Sequence, residues 1–139
     1  MARKLLSLFL GVGVLVSAVP AVSLVAHHSV SAEFDTTKTI KFTGKVTGIN
    51  WGNPHIYTLV EAPDPTSGKT VVFRVEGGPP NSLFRAGWRK DSLKVGETVT
   101  VSGNRAKNPE SMNVGQATIL TEKGLKVYSG NNAAAAQQP

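Results

Sequence analysis

Three histidines are the side chains in this sequence best suited to chemistry, and they fall in two places. His27 and His28 are adjacent, whereas His55 lies further along the chain. If the chain is cut after Ala26, His27 becomes the amino-terminal residue, and its α-amine and imidazole could chelate one metal ion. His28 or His55 would add a third nitrogen, and such a set of nitrogen ligands suits Cu(II). The sequence therefore predicts a metal site, with copper as the metal, at His27, His28 and His55.

The same histidines also have a plain structural interpretation. Histidines near a chain terminus are often solvated polar side chains, and the ring of His55 could be packed and hydrogen-bonded to backbone. The sequence has no HxxxH or HExxH spacing that would fix a metal geometry. The metal hypothesis also depends on the cleavage site. A cut after Ala21 would remove the α-amine of His27 from the site while leaving all three imidazoles.

The chain has no cysteine, which excludes disulfides, zinc ribbons, thiolate catalysis and iron–sulfur clusters. Its 139 residues suffice for about one domain. Hydrolytic chemistry has no support, because no GxSxG nucleophile motif is present and no pair of acids has a spacing that favours acid–base catalysis. We therefore expect a binding protein rather than an enzyme, and we predict no catalytic residues.

The amino terminus has the layout of a secretory signal peptide. Arg3 and Lys4 form a basic start, Leu5 to Val19 carry no charge, and small residues follow at Ala21 and Ala26. The apolar run is shorter than the roughly 20 residues that span a bilayer. We expect cleavage after Ala26, export to the periplasm or the medium, and membrane contact through the signal peptide only.

Cleavage after Ala26 changes the meaning of the net charge. The whole chain has a formal charge of +6, and the 113 residues after the cut keep +4 without any run of Lys or Arg. Nucleic-acid binding would require a basic stripe interleaved with exposed aromatic residues, which the sequence lacks. We expect no nucleic-acid partner.

Alternating apolar residues predict a first strand over residues 39–51, with a phase shift near Gly48 that is typical of a β-bulge. Further strands are predicted over residues 56–62, 70–76, 98–103, 117–120 and 125–128, with a polar loop over residues 104–115. A helix over residues 82–86, capped by Asn81 and ended by Gly87, separates the third strand from the fourth. This order predicts an all-β fold, a small OB-like barrel, closed or partly open, of five to six strands with one short helix between strands 3 and 4. A β-sandwich is the alternative.

The same pattern gives the predicted domain organisation and core. The signal peptide occupies residues 1–26, an N-terminal arm residues 27–38, the OB-like domain residues 39–129, and a low-complexity disordered tail residues 130–139. The predicted core consists of the apolar residues on the inward faces of these elements: Ile40, Phe42, Val46, Ile49, Ile56, Leu59, Val71, Phe73, Val75, Leu83, Leu93, Val99, Val101, Ile119 and Val127.

Two loops carry candidate ligand-binding residues. The loop between the first two strands, which faces ligands in OB folds, holds Asn53 and His55 and is flanked by two aromatic residues. The Gly-Pro segment after the third strand leads to a helix start, and its glycines allow close backbone approach of an anion. The candidates are Trp51, Asn53, Tyr57, Gly77, Gly78, Asn81 and Arg85. The structural alternatives are rim packing for the aromatic residues and, for the Gly-Pro segment, a tight crossover that closes one barrel end, with Trp88 as a plug.

Four motifs occur together in this chain: Ala26-His27-His28-Ser29, Asn53-Pro54-His55, Glu76-Gly77-Gly78-Pro79-Pro80-Asn81 and Gly87-Trp88. In this combination they resemble a family of small exported proteobacterial proteins of unknown function. The resemblance spans most of residues 26–128, although Val30 stands where that family would have Phe. It implies export and a shared small β-domain, and it supplies no mechanism.

Three functional hypotheses follow from these features. The first is an exported binding protein whose N-terminal histidines and His55 hold copper. The second is an OB-like module that binds a small organic or anionic ligand around Trp51, His55 and Arg85. The third is an accessory subunit that binds an exported protein partner.

Overall fold

A computed structural model describes residues 30–124 and 126–129. Two short helices and six strands follow one another along the chain. The helices are α1 (Val30–Glu33) and α2 (Pro80–Arg85), and the strands are β1 (Phe34–Asn50), β2 (Tyr57–Pro63), β3 (Thr70–Glu76), β4 (Thr98–Ala106), β5 (Asn113–Thr121) and β6 (Lys126–Ser129).

The strands form one sheet in the order β3-β2-β1-β4-β5-β6, and β3 also pairs with β5. This last pairing is parallel and joins Arg74 to Asn113 and Val75 to Val114. Five strands are therefore linked in a ring, with α2 between β3 and β4 in the chain. The prediction of a small all-β fold with one short helix between the third and fourth strands is confirmed. Helix α1 is an additional element that the sequence pattern did not predict.

The long first strand makes the ring possible because it pairs with both β2 and β4. Its register with β2 shifts between Val46 and Gly48, which confirms the bulge expected near Gly48. After the bulge the alternation is shifted by one residue, so that Ile49 and Trp51 pack against the core. Gly44 allows the close approach of β2, since a Cβ there would lie 2.2 Å from the carbonyl oxygen of Glu61.

The core lies inside the ring and agrees largely with the predicted set. Ten of the predicted residues are buried, Ile40, Ile49 and Val71 are partly buried against them, and Leu59 is half-buried. Val127 lies outside the residues whose side chains the structure describes. The prediction missed six buried apolar residues on β1, β2, β4 and β5: Phe34, Val60, Ala62, Ala106, Val114 and Ala117.

Several predicted boundaries were wrong. Strand β1 begins at Phe34, and the loop predicted over residues 104–115 covers only residues 107–112, because β4 continues to Ala106 and β5 begins at Asn113. Polar residues in this stretch looked like loop residues because their partners are distant in sequence. Asn104, for example, donates from Nδ2 to Oε1 of Gln116 at 2.6 Å.

Helix α2 also begins earlier than predicted. It starts at Pro80, with Pro79 as the N-cap residue and no side-chain cap, so the prediction that Asn81 caps the helix was wrong. Proline's fixed φ suits a first helical turn, and its missing N–H has no helical partner to lose there. Gly87, at φ 90°, ends the helix as predicted. Within the described residues, no helix has the length and apolar character needed to cross a membrane.

Candidate functional site

The loop between β1 and β2 presents His55 beside the end of β3. Backbone hydrogen bonds on the next residue hold this loop, because Ile56 N–H donates to the Gly78 carbonyl at 3.2 Å and Gly77 N–H donates to the Ile56 carbonyl at 2.7 Å. Ile56 is fully buried, which anchors the adjoining His55 at the edge of the core. The Asn53–Pro54 peptide of the same loop is cis. His55 is thus positioned by two segments that are distant in sequence.

His55 and Glu76 form the central pair of the site. The Nδ1 atom of His55 lies 2.6 Å from Oε1 of Glu76, and the two side chains are 31% and 19% exposed. Donation from Nδ1–H to the carboxylate leaves Nε2 as the ring nitrogen that is available to a metal ion. Metal-binding histidines commonly have such a carboxylate on the other ring nitrogen, since it fixes the ring and makes it more basic. The arrangement therefore suits His55 to act as a metal ligand.

Tyr57 and Arg74 lie next to this pair on the outer face of β2 and β3. Tyr57 faces Glu76 across the two strands, and the Arg74 guanidinium carbon is 3.6 Å from the centre of the Tyr57 ring. Burial raises the pKa of the Tyr57 hydroxyl, the charges of Glu76 and Glu33 raise it further, and the charge of Arg74 lowers it, with a net upward shift. Three charged side chains thus surround one tyrosine at this rim.

Helix α1 is fastened to the same rim. Asn113 Nδ2 donates to Oε1 of Glu33 at 3.2 Å, and Asn113 is the β5 residue that pairs with Arg74. Lys107 N–H donates to the Glu33 carbonyl at 2.9 Å, and its Nζ donates to the Ser31 carbonyl. The chain that follows the two N-terminal histidines is consequently held close to the strands that carry Tyr57 and Glu76.

The structure brings only part of the predicted metal site into view. His27 and His28 lie outside the described residues, and no group of three His, Cys, Asp or Glu side chains within residues 30–124 and 126–129 could hold a metal ion. The described part contributes His55 and its partner Glu76. Asp35, a nearby acid in the sequence, is engaged locally, because it accepts hydrogen bonds from the hydroxyl and N–H of Thr37, which lower its pKa.

Glu76 is the functional candidate that sequence reasoning missed. It stood in the Glu-Gly-Gly-Pro-Pro-Asn motif without a role, since nothing in local spacing relates it to His55. The signal that could have revealed it is the hairpin register. A turn at residues 63–70 sets Tyr57 opposite Glu76, and therefore places the residues just before Tyr57 beside Glu76.

The remaining predicted ligand residues do not converge. Trp51 is half-buried and packs against the core, as Trp88 does, and both line a cavity of about 10 Å³. The Nε1 atom of Trp88 is buried there without an acceptor among the described residues. Asn53 is exposed.

The Gly-Pro segment connects β3 to α2 and is hydrogen-bonded to the β1–β2 loop. Gly77 and Gly78 are used in backbone bonding to Ile56, and neither has a positive φ. Asn81 and Arg85 are exposed on a helix of six residues. None of Gly77, Gly78, Asn81 and Arg85 lines the cavity that Trp51 and Trp88 share.

The fold and the site define a small all-β domain with a ring of five strands and a histidine–carboxylate pair at the β1–β2 loop. The chain belongs to the family of unknown function DUF6152, which matches residues 14–124. No curated protein and no solved structure matches it.

Proposed function

We propose that this is an exported copper-binding protein that is cleaved after Ala26 and holds Cu(II) through His27 and His55. The α-amine and imidazole of His27 supply two nitrogens, and Nε2 of His55 supplies the third. Three nitrogen donors without a thiolate suit Cu(II). The protein binds and carries the ion, and no catalytic step is assigned to it.

The observation that carries this proposal is the 2.6 Å hydrogen bond between His55 Nδ1 and Glu76 Oε1. It fixes one tautomer, so that Nε2 is the available nitrogen, and it limits rotation of the ring. A histidine that served only as a solvated polar side chain would have no need of a half-buried carboxylate. The bond has the form that supports metal-ligating histidines elsewhere.

The attachment of α1 supports the choice of His27 as the second ligand residue. Contacts run from Glu33 through Asn113 and the Arg74–Tyr57 stack to Glu76. His27 precedes Val30 by three residues, a segment that spans up to about 10 Å when extended. The short tether favours a site at this rim over one elsewhere on the domain.

Mass spectrometry and amino-terminal sequencing of the protein recovered after expression with its full leader test the cleavage step. The expected mature start is His27. A mature start at Val22 would contradict the proposed site, because the α-amine of His27 would then be part of a peptide bond. Retention of residues 1–26 would contradict both export by cleavage and the proposed site.

Electron paramagnetic resonance of Cu(II) bound to the protein that begins at His27 tests the ligand set. Three coordinated nitrogens are expected, and His55→Ala should remove one of them. His28→Ala is the matched control for a neighbouring imidazole and should leave the spectrum unchanged. If His28→Ala removes a nitrogen and His55→Ala does not, the site uses the adjacent pair and the proposal is wrong.

The carboxylate can be tested by a conservative change. Glu76→Gln keeps the size of the side chain and removes its charge, and we expect Cu(II) affinity to fall about 10- to 100-fold. Asp91→Asn, an exposed acid of the same charge, should change affinity less than about twofold. Equal affinities for wild type and Glu76→Gln would show that the pair with His55 does not support a metal ligand.

A further inference from the structure

A groove of about 580 Å³ lies between the β2–β3 turn and the β4–β5 loop, and neither His55 nor Glu76 lines it. Its apolar lining includes Ile40, Val71 and Met112, which pack against the core from the side that faces the groove. A volume of this size is in the range that small-molecule sites occupy. The groove therefore offers both room and apolar contact to a small ligand.

Cations outnumber anions around this groove. Four basic side chains line it, namely Lys38, Lys69, Arg105 and Lys107, against two carboxylates, Asp35 and Asp64. Asp64 is engaged with Arg105 at 2.8 Å, and Asp35 lies 3.6 Å from Nζ of Lys38. The charges of Lys69 and Lys107 have no such carboxylate in the groove lining. An anion entering the groove would therefore meet a net positive field.

Arg105 is built into the groove wall, and one of its donors has only a weak acceptor. Its Nη1 donates to Asp64 Oδ1 and, at 3.2 Å, to the Thr66 hydroxyl. The contact of Nη2 is with the Met112 sulfur at 3.6 Å, and a thioether is a weak acceptor. A carboxylate would be a far stronger acceptor for this N–H, since charge-assisted hydrogen bonds are about twice as strong as neutral ones.

We propose that this groove binds a small organic anion, a carboxylate with an apolar tail, whose head group contacts Arg105 Nη2, Lys69 and Lys107. The tail lies along Ile40, Val71 and Met112. Methionine suits such a surface because its flexible side chain adapts to different ligand shapes. None of the groove residues is a proposed copper ligand, and Glu76 does not line the groove, so either proposal can fail without the other.

A matched pair of probes tests the two halves of the proposal. Hexanoate and 1-hexanol have the same chain length and differ in the charge of the head group. Titration of the purified protein, followed by amide chemical shifts, should give saturable shifts at Val71, Arg105 and Met112 with hexanoate. Binding of 1-hexanol should be at least tenfold weaker. Equal binding of the two probes, or shifts that do not saturate, would overturn the proposal.

Charge removal at the rim gives an independent test. Lys69→Gln should weaken hexanoate binding about threefold, and the pair Lys69→Gln with Lys107→Gln about tenfold, as expected for exposed ion pairs. Lys94→Gln, an exposed lysine outside the groove, should change it less than about twofold. Since Lys107 also contacts α1, the single variant at Lys69 keeps the test valid if the double variant folds poorly. An unchanged affinity in Lys69→Gln, or an equal loss in Lys94→Gln, would refute the assignment.

Discussion

Replacing Asp64 by asparagine is expected to cost much of the stability of the β2–β3 turn. Asp64 is 4% exposed and accepts three hydrogen bonds, from Thr66 N–H at 3.0 Å, from the Ser67 hydroxyl at 3.0 Å and from Arg105 at 2.8 Å. The carboxylate therefore bonds to two residues of its own turn and to Arg105 of β4, and so joins the turn to that strand. Asparagine keeps the shape but leaves the half-buried guanidinium without an opposite charge.

The size of the effect follows from these contacts. Removing one partner of a buried ion pair costs about 3–5 kcal/mol, and a hydrogen bond to a charged group is worth about 1.5–3 kcal/mol. Arg105 is 16% exposed, so water can compensate in part, and asparagine retains one oxygen acceptor. We expect a loss of about 3 kcal/mol in the free energy of unfolding at pH 7. For a domain of about 100 residues this lowers Tm by about 10–20 °C.

The stabilising effect of Asp64 should depend on pH, and the direction of its pKa shift says how. Burial alone would raise the pKa of Asp64, but the hydrogen bonds from Thr66, Arg105 and Ser67 lower it below the ordinary value. A carboxyl whose pKa is lower in the folded state stabilises the fold fully above the unfolded pKa of about 3.9, and this contribution is lost as the pH falls through the folded pKa. The stability difference between wild type and Asp64→Asn should thus be largest above about pH 5 and should shrink below about pH 4.

Urea unfolding at several pH values between 3 and 7 measures this difference. Asp91→Asn is the matched control, because Asp91 is exposed, and its effect should stay within about 0.5 kcal/mol. A loss of less than about 1 kcal/mol for Asp64→Asn at pH 7 would refute the importance of the pair. A difference of unchanged size at pH 3 would refute the assignment of the lowered pKa.

Two further predictions concern the β1–β2 hairpin and the rim around His55. Gly44→Ala should lower the free energy of unfolding, measured in urea, by about 2–3 kcal/mol, because its Cβ would lie 2.2 Å from the Glu61 carbonyl oxygen. Gly52→Ala is the control, since a Cβ there has no atom within 4 Å, and its effect should stay within about 0.5 kcal/mol. Similar losses for both variants would contradict the close approach of β1 and β2. Glu76→Gln should lower the pKa of Tyr57 toward its ordinary value, since one of the two carboxylates that raise it is removed, and an ultraviolet absorbance titration that shows no change would contradict this electrostatic picture.

Local sequence pattern predicted the strands correctly where buried and exposed residues alternate regularly along the chain. Alternation over β2 and β3 gave strands within one residue of those observed, and the phase shift near Gly48 predicted the bulge in β1. The pattern failed at Asn104 and Arg105, which belong to β4 although their side chains are polar. Their partners, Gln116 and Asp64, lie 12 and 41 residues away, so no local window contains the reason for their burial.

The candidate site shows the same division between local and distant information. Residue type alone made His55 a candidate metal ligand, and a lone histidine does not distinguish a ligand from a solvated or packed side chain. The observation that local spacing could not supply is the carboxylate on Nδ1, which belongs to Glu76, the last residue of β3. The hairpin register is therefore the physical link between the two residues. A search for paired histidines in small β domains should accordingly extend from each histidine across the predicted register to the facing strand, where a carboxylate can lie beside the ring.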